Sequence, residues 1–139
     1  MSESTSSLRI LETNELEEIL DLHRAWQYQK PGGVRANLSY VDLSCLDLHR
    51  VYLRQANLTG ANLSGSDLSG ACLRNAILRG AKMIQTNLRN ANLRSANLRK
   101  ADLRKALLIW SDLRKADLRN ADLRDTNMTC ARTENAIFS

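Results

Sequence analysis

The chain has 139 residues, enough for about one domain, and is 43% hydrophobic but only 4% aromatic, so its core must be aliphatic. No apolar run approaches the roughly 18–20 residues that span a bilayer, and the opening "MSESTSSLRI" lacks the basic and apolar regions of a secretory signal, so a soluble, cytoplasmic protein with no membrane contact is expected. The net charge of +5 is uneven: residues 1–35 carry four basic and six acidic residues, net −2, and the rest is net +7.

Residues 1–13 read as a flexible N-terminal segment. Residues 14–33 read as a capping helix and turn. Within "NELEEILDLHRAWQYQK", Asn14 and Glu17 have the spacing of a capping box. Leu16, Ile19, Leu20, His23 and Trp26 recur at helical spacing and share one face. Pro31, Gly32 and Gly33 then stop the helix.

From Leu38 onward an apolar residue returns every fifth position, to Phe138, without a break in phase. Call that residue the centre, i. Of twenty-one centres, seventeen are Leu, and the others are Met83, Met128, Thr133 and Phe138. Position i−2 is Ala in fourteen units and another small or β-branched residue in most of the rest. A helix cannot use this pattern, because five residues advance a side chain by about 140° around the axis and leave no stripe. A plain strand fails as well, since an odd period alternates faces. A short strand followed by a corner works: i−2 and i point inward, i−1 and i+1 outward, and i+2 forms the bend. Four right-angle units make a square coil of about twenty residues, stacked on its neighbours at about 4.8 Å. Only stacking buries the core, and the exposed ends of such a stack need covers.

The units "ANLSG", "ADLRK", "ANLTG" and "ADLRN" resemble the pentapeptide-repeat family, whose motif is A(D/N)LXX. The match spans residues 36–138, and residues 34–139 are taken as the repeat domain. The resemblance implies an all-β solenoid, a right-handed quadrilateral β-helix of about five coils, and makes a cyanobacterial source the expectation. Tyr52, Cys72, Ile77, Lys82, Leu107, Arg132 and Ile137 stand where Asn or Asp is usual, and Thr133 is a polar centre that suggests a loose last coil. Relatives that dimerise through their C-terminal coils make Phe138 a candidate contact in a homodimer.

Residues twenty apart share a surface column. Arg54, Arg74, Arg94 and Arg114 form one such column, Arg79, Arg99 and Arg119 a second, and Arg104 and Arg124 a third. The first two are a candidate anion-binding ladder, for an acidic partner or a nucleic-acid backbone. Outward Asp102, Asp112, Asp117 and Asp122 offer partial relief to their neighbours. The stretch "ALLIWSDL" places Leu107, Ile109 and Trp110 at the three outward positions of one unit, with Ile84 on an adjacent face. They form a candidate interaction patch on an otherwise polar rod.

Chemistry is not indicated. Cys45, Cys72 and Cys130 fall on three faces, and no Cys–His or Ser–His pairing, metal spacing or phosphate loop appears. No cofactor is expected. The reading is a non-enzymatic scaffold or interaction module whose partner is another protein. Binding of an acidic partner or nucleic acid through the Arg columns is the alternative. Some family members modulate gyrase by imitating DNA, but a rod of net +7 has the wrong sign.

Overall fold

The computed structural model describes residues 7–139. Its one helix, α1, spans Glu15–Gln27. Glu15, Glu17 and Glu18 in its first turn and Arg24 in its last complement the helix dipole. The expected capping box does not form. Asn14 has helical backbone angles (φ −100°, ψ −4°) and makes no side-chain cap. A turn leads in instead: the Glu15 N–H donates to Glu12 O at 3.0 Å, and the Glu15 carboxylate accepts from the Glu12 N–H at 3.2 Å.

The turn after α1 depends on a close approach. Gly33 lies against the helix backbone, where a Cβ would stand 2.3 Å from Trp26 N. The Val34 N–H then donates to Leu22 O at 3.0 Å, which ties the exit strand back onto α1.

Residues 34–139 form a solenoid with four five-residue units in each coil. Parallel bridges join residues twenty apart, from Asn37↔Asn57 to Asp117↔Ile137. One unit shows the pattern: the Leu58 N–H donates to Ile77 O at 2.7 Å, and the Ile77 N–H donates to Ala56 O at 2.9 Å. Each unit contributes a single bridge residue rather than a strand. The reason is spacing: a β-turn returns every five residues, such as the one closed by Ala61 N–H on Leu58 O at 3.1 Å. The corner residue i+2 takes positive φ throughout, at Gly60 (64°), Asn75 (58°) and Lys115 (61°) among others. That conformation suits the third position of a type II turn and explains the Gly and Asn found there.

Inside, Leu58, Leu78 and Leu98 are fully buried one above another, as are Ala56, Ala76 and Ala96 at i−2. Where i−2 is a hydroxyl residue its oxygen finds a carbonyl: Ser66 Oγ donates to Leu43 O at 2.5 Å and Thr86 Oγ1 to Leu63 O at 2.8 Å. Asn or Asp at i−1 also has a local task. Its Oδ1 accepts the N–H of residue i+1, as Asn57 does from Thr59 at 3.1 Å and Asp102 from Arg104 at 3.3 Å. The A(D/N)L signature is thus a bend locked by its own side chain.

The first coil is covered. Leu11, Leu16, Ile19 and Leu20 pack on the core, and His23 is fully buried. His23 Nδ1 accepts the Ala36 N–H at 2.9 Å, and Gln27 Nε2 donates to Arg54 O at 2.8 Å. Both bonds satisfy backbone groups that no coil beneath can reach. Residues 7–13 do not stand apart, because Arg9 pairs with Val41: the Arg9 N–H donates to Tyr40 O at 2.8 Å and the Asp42 N–H to Arg9 O at 2.9 Å. The rest of the segment expected to be flexible, residues 1–6, lies outside the described residues.

The other end is open. Leu123 and Met128 are only partly buried and Phe138 is 43% exposed. Among the described residues the N–H groups of Leu123, Met128 and Thr133 have no backbone acceptor.

Two measurements check this architecture. Leu78→Ala should cost about 2–5 kcal/mol by urea unfolding, and Leu123→Ala clearly less, because only the first opens a closed cavity. Burial, which outweighs hydrogen bonding to the Arg54 carbonyl, lowers the His23 pKa below its usual 6.5. The unfolded chain therefore binds the proton first as pH falls. The His23 contribution is complete above about 6.5 and declines below it toward the lowered folded value. The drop in urea midpoint between pH 7.5 and pH 5.5 should shrink in His23→Gln.

Candidate interaction surface

The outward positions i−1 and i+1 alternate along each face, so the residue at i−1 decides what happens to an arginine at i+1. With Asp at i−1, the arginine is held. Asp102 takes Arg104 Nε at 2.9 Å and Nη2 at 2.7 Å. Asp112 takes Arg114 at 2.9 and 2.7 Å. Asp117 holds Arg119, and Asp122 holds Arg124, in the same two-pronged way, with closest approaches of 2.6 Å. The guanidinium hydrogen bonds hold the Asp117 and Asp122 carboxyls down to about 2, and the arginines are shifted up in return. The guanidinium groups face solvent, which screens these pairs and keeps their effect on stability small.

The candidate ladder therefore divides. Arg114 and Arg119 are already neutralised by carboxylates, whereas Arg54, Arg74, Arg94, Arg79 and Arg99 have no ion-pair partner among the described residues. Their i−1 neighbours are Tyr52, Cys72, Asn92, Ile77 and Asn97. The Nε atoms of Arg54, Arg74 and Arg99 are shielded from solvent and have no hydrogen-bond acceptor. The unpaired ladder arginines thus lie on two adjacent faces, in columns that continue into the Asp112 and Asp117 units. The column rule located the arginines. The relief expected from Asp102, Asp112, Asp117 and Asp122 is present, and it takes Arg114 and Arg119 out of the ladder to which the column rule assigned them.

Trp110 is 65% exposed and occupies a corner at φ 60°, beside half-buried Ile109 and Leu107. Leu107 bridges Asn87 below and Asn127 above. Ile84 lies elsewhere: it lines a shallow groove on the neighbouring face with Gln85, Arg104, Lys105, Arg124 and Asp125. The patch is therefore three residues of one unit, with Ile84 separate from it. Phe138 sits in the open last coil, half-exposed.

Cys45, Cys72 and Cys130 are free thiols. His49 Nδ1 lies 2.7 Å from Asp47 Oδ1 on the surface. His23, the buried histidine, serves the cap; sequence reasoning placed it on the right helix face but gave it no partner. Among the described residues no cluster of His, Cys, Asp or Glu is placed to hold a metal ion, and no helix is long and apolar enough to cross a membrane.

A family profile described as pentapeptide repeats matches in eight copies, over residues 34–70, 42–80, 71–108 and 101–139. Among solved structures, Rfr23 from the cyanobacterium Cyanothece 51142 is 34% identical over 76% of this chain and 62% of its own, with a TM-score of 0.46. A pentapeptide repeat protein of the Arabidopsis thaliana thylakoid lumen is 31% identical over 70% of this chain and 65% of its own, with a TM-score of 0.54. The chain thus spans less than two thirds of either relative. A third, from Nostoc PCC 7120, is 26% identical over 86% and 95% of the two chains, with a TM-score of 0.43. Curated proteins yield no significant match.

Proposed function

Because this chain belongs to the pentapeptide-repeat family, we propose that it is a non-enzymatic scaffold that binds another protein through its rod surface. The observation that carries the reading is Trp110. A bulky aromatic disfavours positive φ, yet Trp110 holds φ 60° and exposes two thirds of its surface, at 65%. The other corners of its column are Arg50, Gly70, Asn90 and Cys130, which carry no comparable apolar bulk. Positive φ is common to all the corners, and Tyr40 shares it; what supports a contact role for Trp110 is exposed aromatic bulk beside the apolar Ile109 and Leu107 of the same unit. Trp is also enriched among the few residues that dominate interface energetics. Ile109 and Leu107 extend the contact, and their polar column neighbours Asn87, Arg89, Asn127 and Thr129 supply its rim.

Ile109→Ser with Trp110→Lys should leave the thermal midpoint unchanged and remove a partner captured from host extract by the wild-type chain. The contact should persist in high salt, because it is apolar. Identical captured proteins for both forms would refute the reading.

A second reading rests on the open coil. Partly buried Leu123 and Met128, half-exposed Phe138 and unpaired N–H groups form a surface on which a second copy can dock. Light scattering should then give a two-chain mass that falls to one chain in Phe138→Asp. A one-chain mass for the wild type at high concentration removes the dimer.

A further inference from the structure

We infer that Arg54, Arg74 and Arg94 form a carboxylate-binding strip that receives the acidic stripe of a partner's α-helix. The inference rests on the reading of the rod as a binding module, but it uses a different surface from Trp110.

The solenoid itself shows what such an arginine binds. At Arg104 a single Asp102 carboxylate takes the backbone N–H at 3.3 Å, Nε at 2.9 Å and Nη2 at 2.7 Å. Arg114 repeats the set on Asp112 at 3.1, 2.9 and 2.7 Å. One carboxylate thus closes the bend and neutralises the side chain. In the units of Arg54 and Arg74 the carboxylate is missing, replaced by Tyr52 and Cys72. Their backbone N–H groups have no acceptor among the described residues, and their Nε atoms have none either. At these two rungs the backbone N–H and the solvent-shielded Nε lack the acceptor that Asp102 and Asp112 supply elsewhere. At Arg94 the backbone N–H is taken by Asn92 Oδ1 at 3.0 Å, which leaves only the guanidinium. An incoming carboxylate displaces no hydrogen bond at Arg54 or Arg74, whereas at Arg104 or Arg114 it would have to displace a bidentate aspartate.

Spacing selects the form of the partner. The rungs repeat at the strand separation, about 4.8 Å. Carboxylates at i, i+3 or i+4, and i+7 of an α-helix recur every 5 Å or so along its axis, from a rise of about 1.5 Å per residue. Same-side residues of an extended peptide recur at about 6.7 Å and fall out of step within three rungs. Nucleic acid fits less well. The strip is only about 10 Å long at that rung spacing, and it is bounded by Asp112 and Glu134 on the same face. Of its aromatic neighbours, Tyr52 donates its hydroxyl to Gln27 on α1 and Trp26, beside Arg54, is stacked on His23, so neither stands as a free platform for bases.

The test supplies the missing carboxylates from within. A fluorescent, end-capped Ala-based helical peptide with Glu at i, i+4 and i+7 is titrated against the full chain. Tyr52→Asp with Cys72→Asp should weaken binding by about tenfold, because each aspartate occupies an arginine from inside. Cys72→Asp alone, which keeps the Tyr52–Gln27 contact, should weaken it by a smaller factor and leave the thermal midpoint at or above that of the wild type. Gln85→Asp with Asn90→Asp changes the net charge equally at exposed corners elsewhere and should leave binding unchanged. A peptide of the same composition with Glu spread around the helix should bind more weakly. Equal losses in both double variants, or no preference for the striped peptide, would overturn the inference. So would tighter binding of a short DNA duplex with the same sensitivity to Tyr52→Asp and Cys72→Asp, since the strip would then be a phosphate site. The Ile109→Ser/Trp110→Lys chain should bind the peptide normally, so failure here and failure of the apolar contact are separate results.

Discussion

A leucine in this rod has nowhere to hide within its own coil. Each five-residue unit is too short to bury its own Leu, which is fully covered only where coils stack above and below it in one continuous core. That dependence fixes the rest. The coils must approach to strand separation, so their N–H and C=O groups meet as isolated parallel bridges. The chain must bend after every centre to stay in plane, so i+2 takes positive φ at Gly, Asn, Lys and even Trp. The space beside the bend is small, so i−2 is Ala, or a Ser or Thr that returns its hydroxyl to a carbonyl. Side-chain bulk in the core is therefore uniform, and the variable chemistry is displaced outward.

A stack has two ends, and they are unlike. At the first coil, α1 lays Leu16, Ile19 and Leu20 over the core while His23 and Gln27 satisfy the Ala36 N–H and the Arg54 carbonyl. Arg9 adds one parallel bridge, in the manner of a further coil reduced to a single residue. This end is covered in part: the N–H groups of Asn37, Asp47 and Tyr52 still have no acceptor among the described residues. At residues 121–139 the centres are half-covered and N–H groups project without acceptors, which is the condition under which a β edge recruits another chain.

The period of five excluded a helix and a plain strand and left a strand-and-corner coil, and the resemblance to pentapeptide repeats implied its four sides. The apolar face of α1 was equally readable, since Leu16 to Trp26 follow one helical stripe. What escaped were features set by contact rather than pattern. The capping box at Asn14 and Glu17 is replaced by a turn from Glu12, because the segment before the helix is drawn toward the first coil by the Arg9–Val41 bridge. The buried role of His23 depends on where Ala36 arrives, thirteen residues later. The pairing of Asp102, Asp112, Asp117 and Asp122 with their arginines was readable, but the bond from i−1 to the backbone N–H at i+1 was not. Periodicity says that this residue points outward, and nothing in an outward position announces a hydrogen bond to the backbone two residues on.

That bond gives the departures from the motif their meaning. Replacing Asn or Asp at i−1 forfeits a bend-locking interaction, a net loss of about 0.5–1.5 kcal/mol for an ordinary hydrogen bond. The rod tolerates such losses because stacking of the centres continues undisturbed. Tyr52 and Cys72 precede Arg54 and Arg74, and Leu107 precedes Ile109 and Trp110. In all three units the N–H at i+1 is left without an acceptor. Both candidate surfaces therefore include units in which the sequence relinquished local stability at i−1. Where Asp stands at i−1, as at Asp102, Asp112, Asp117 and Asp122, the neighbouring arginine is held in an ion pair within the rod. In a fold whose core is nearly invariant from coil to coil, the residue before each centre decides whether its neighbour at i+1 is bonded within the rod or left open to what surrounds it.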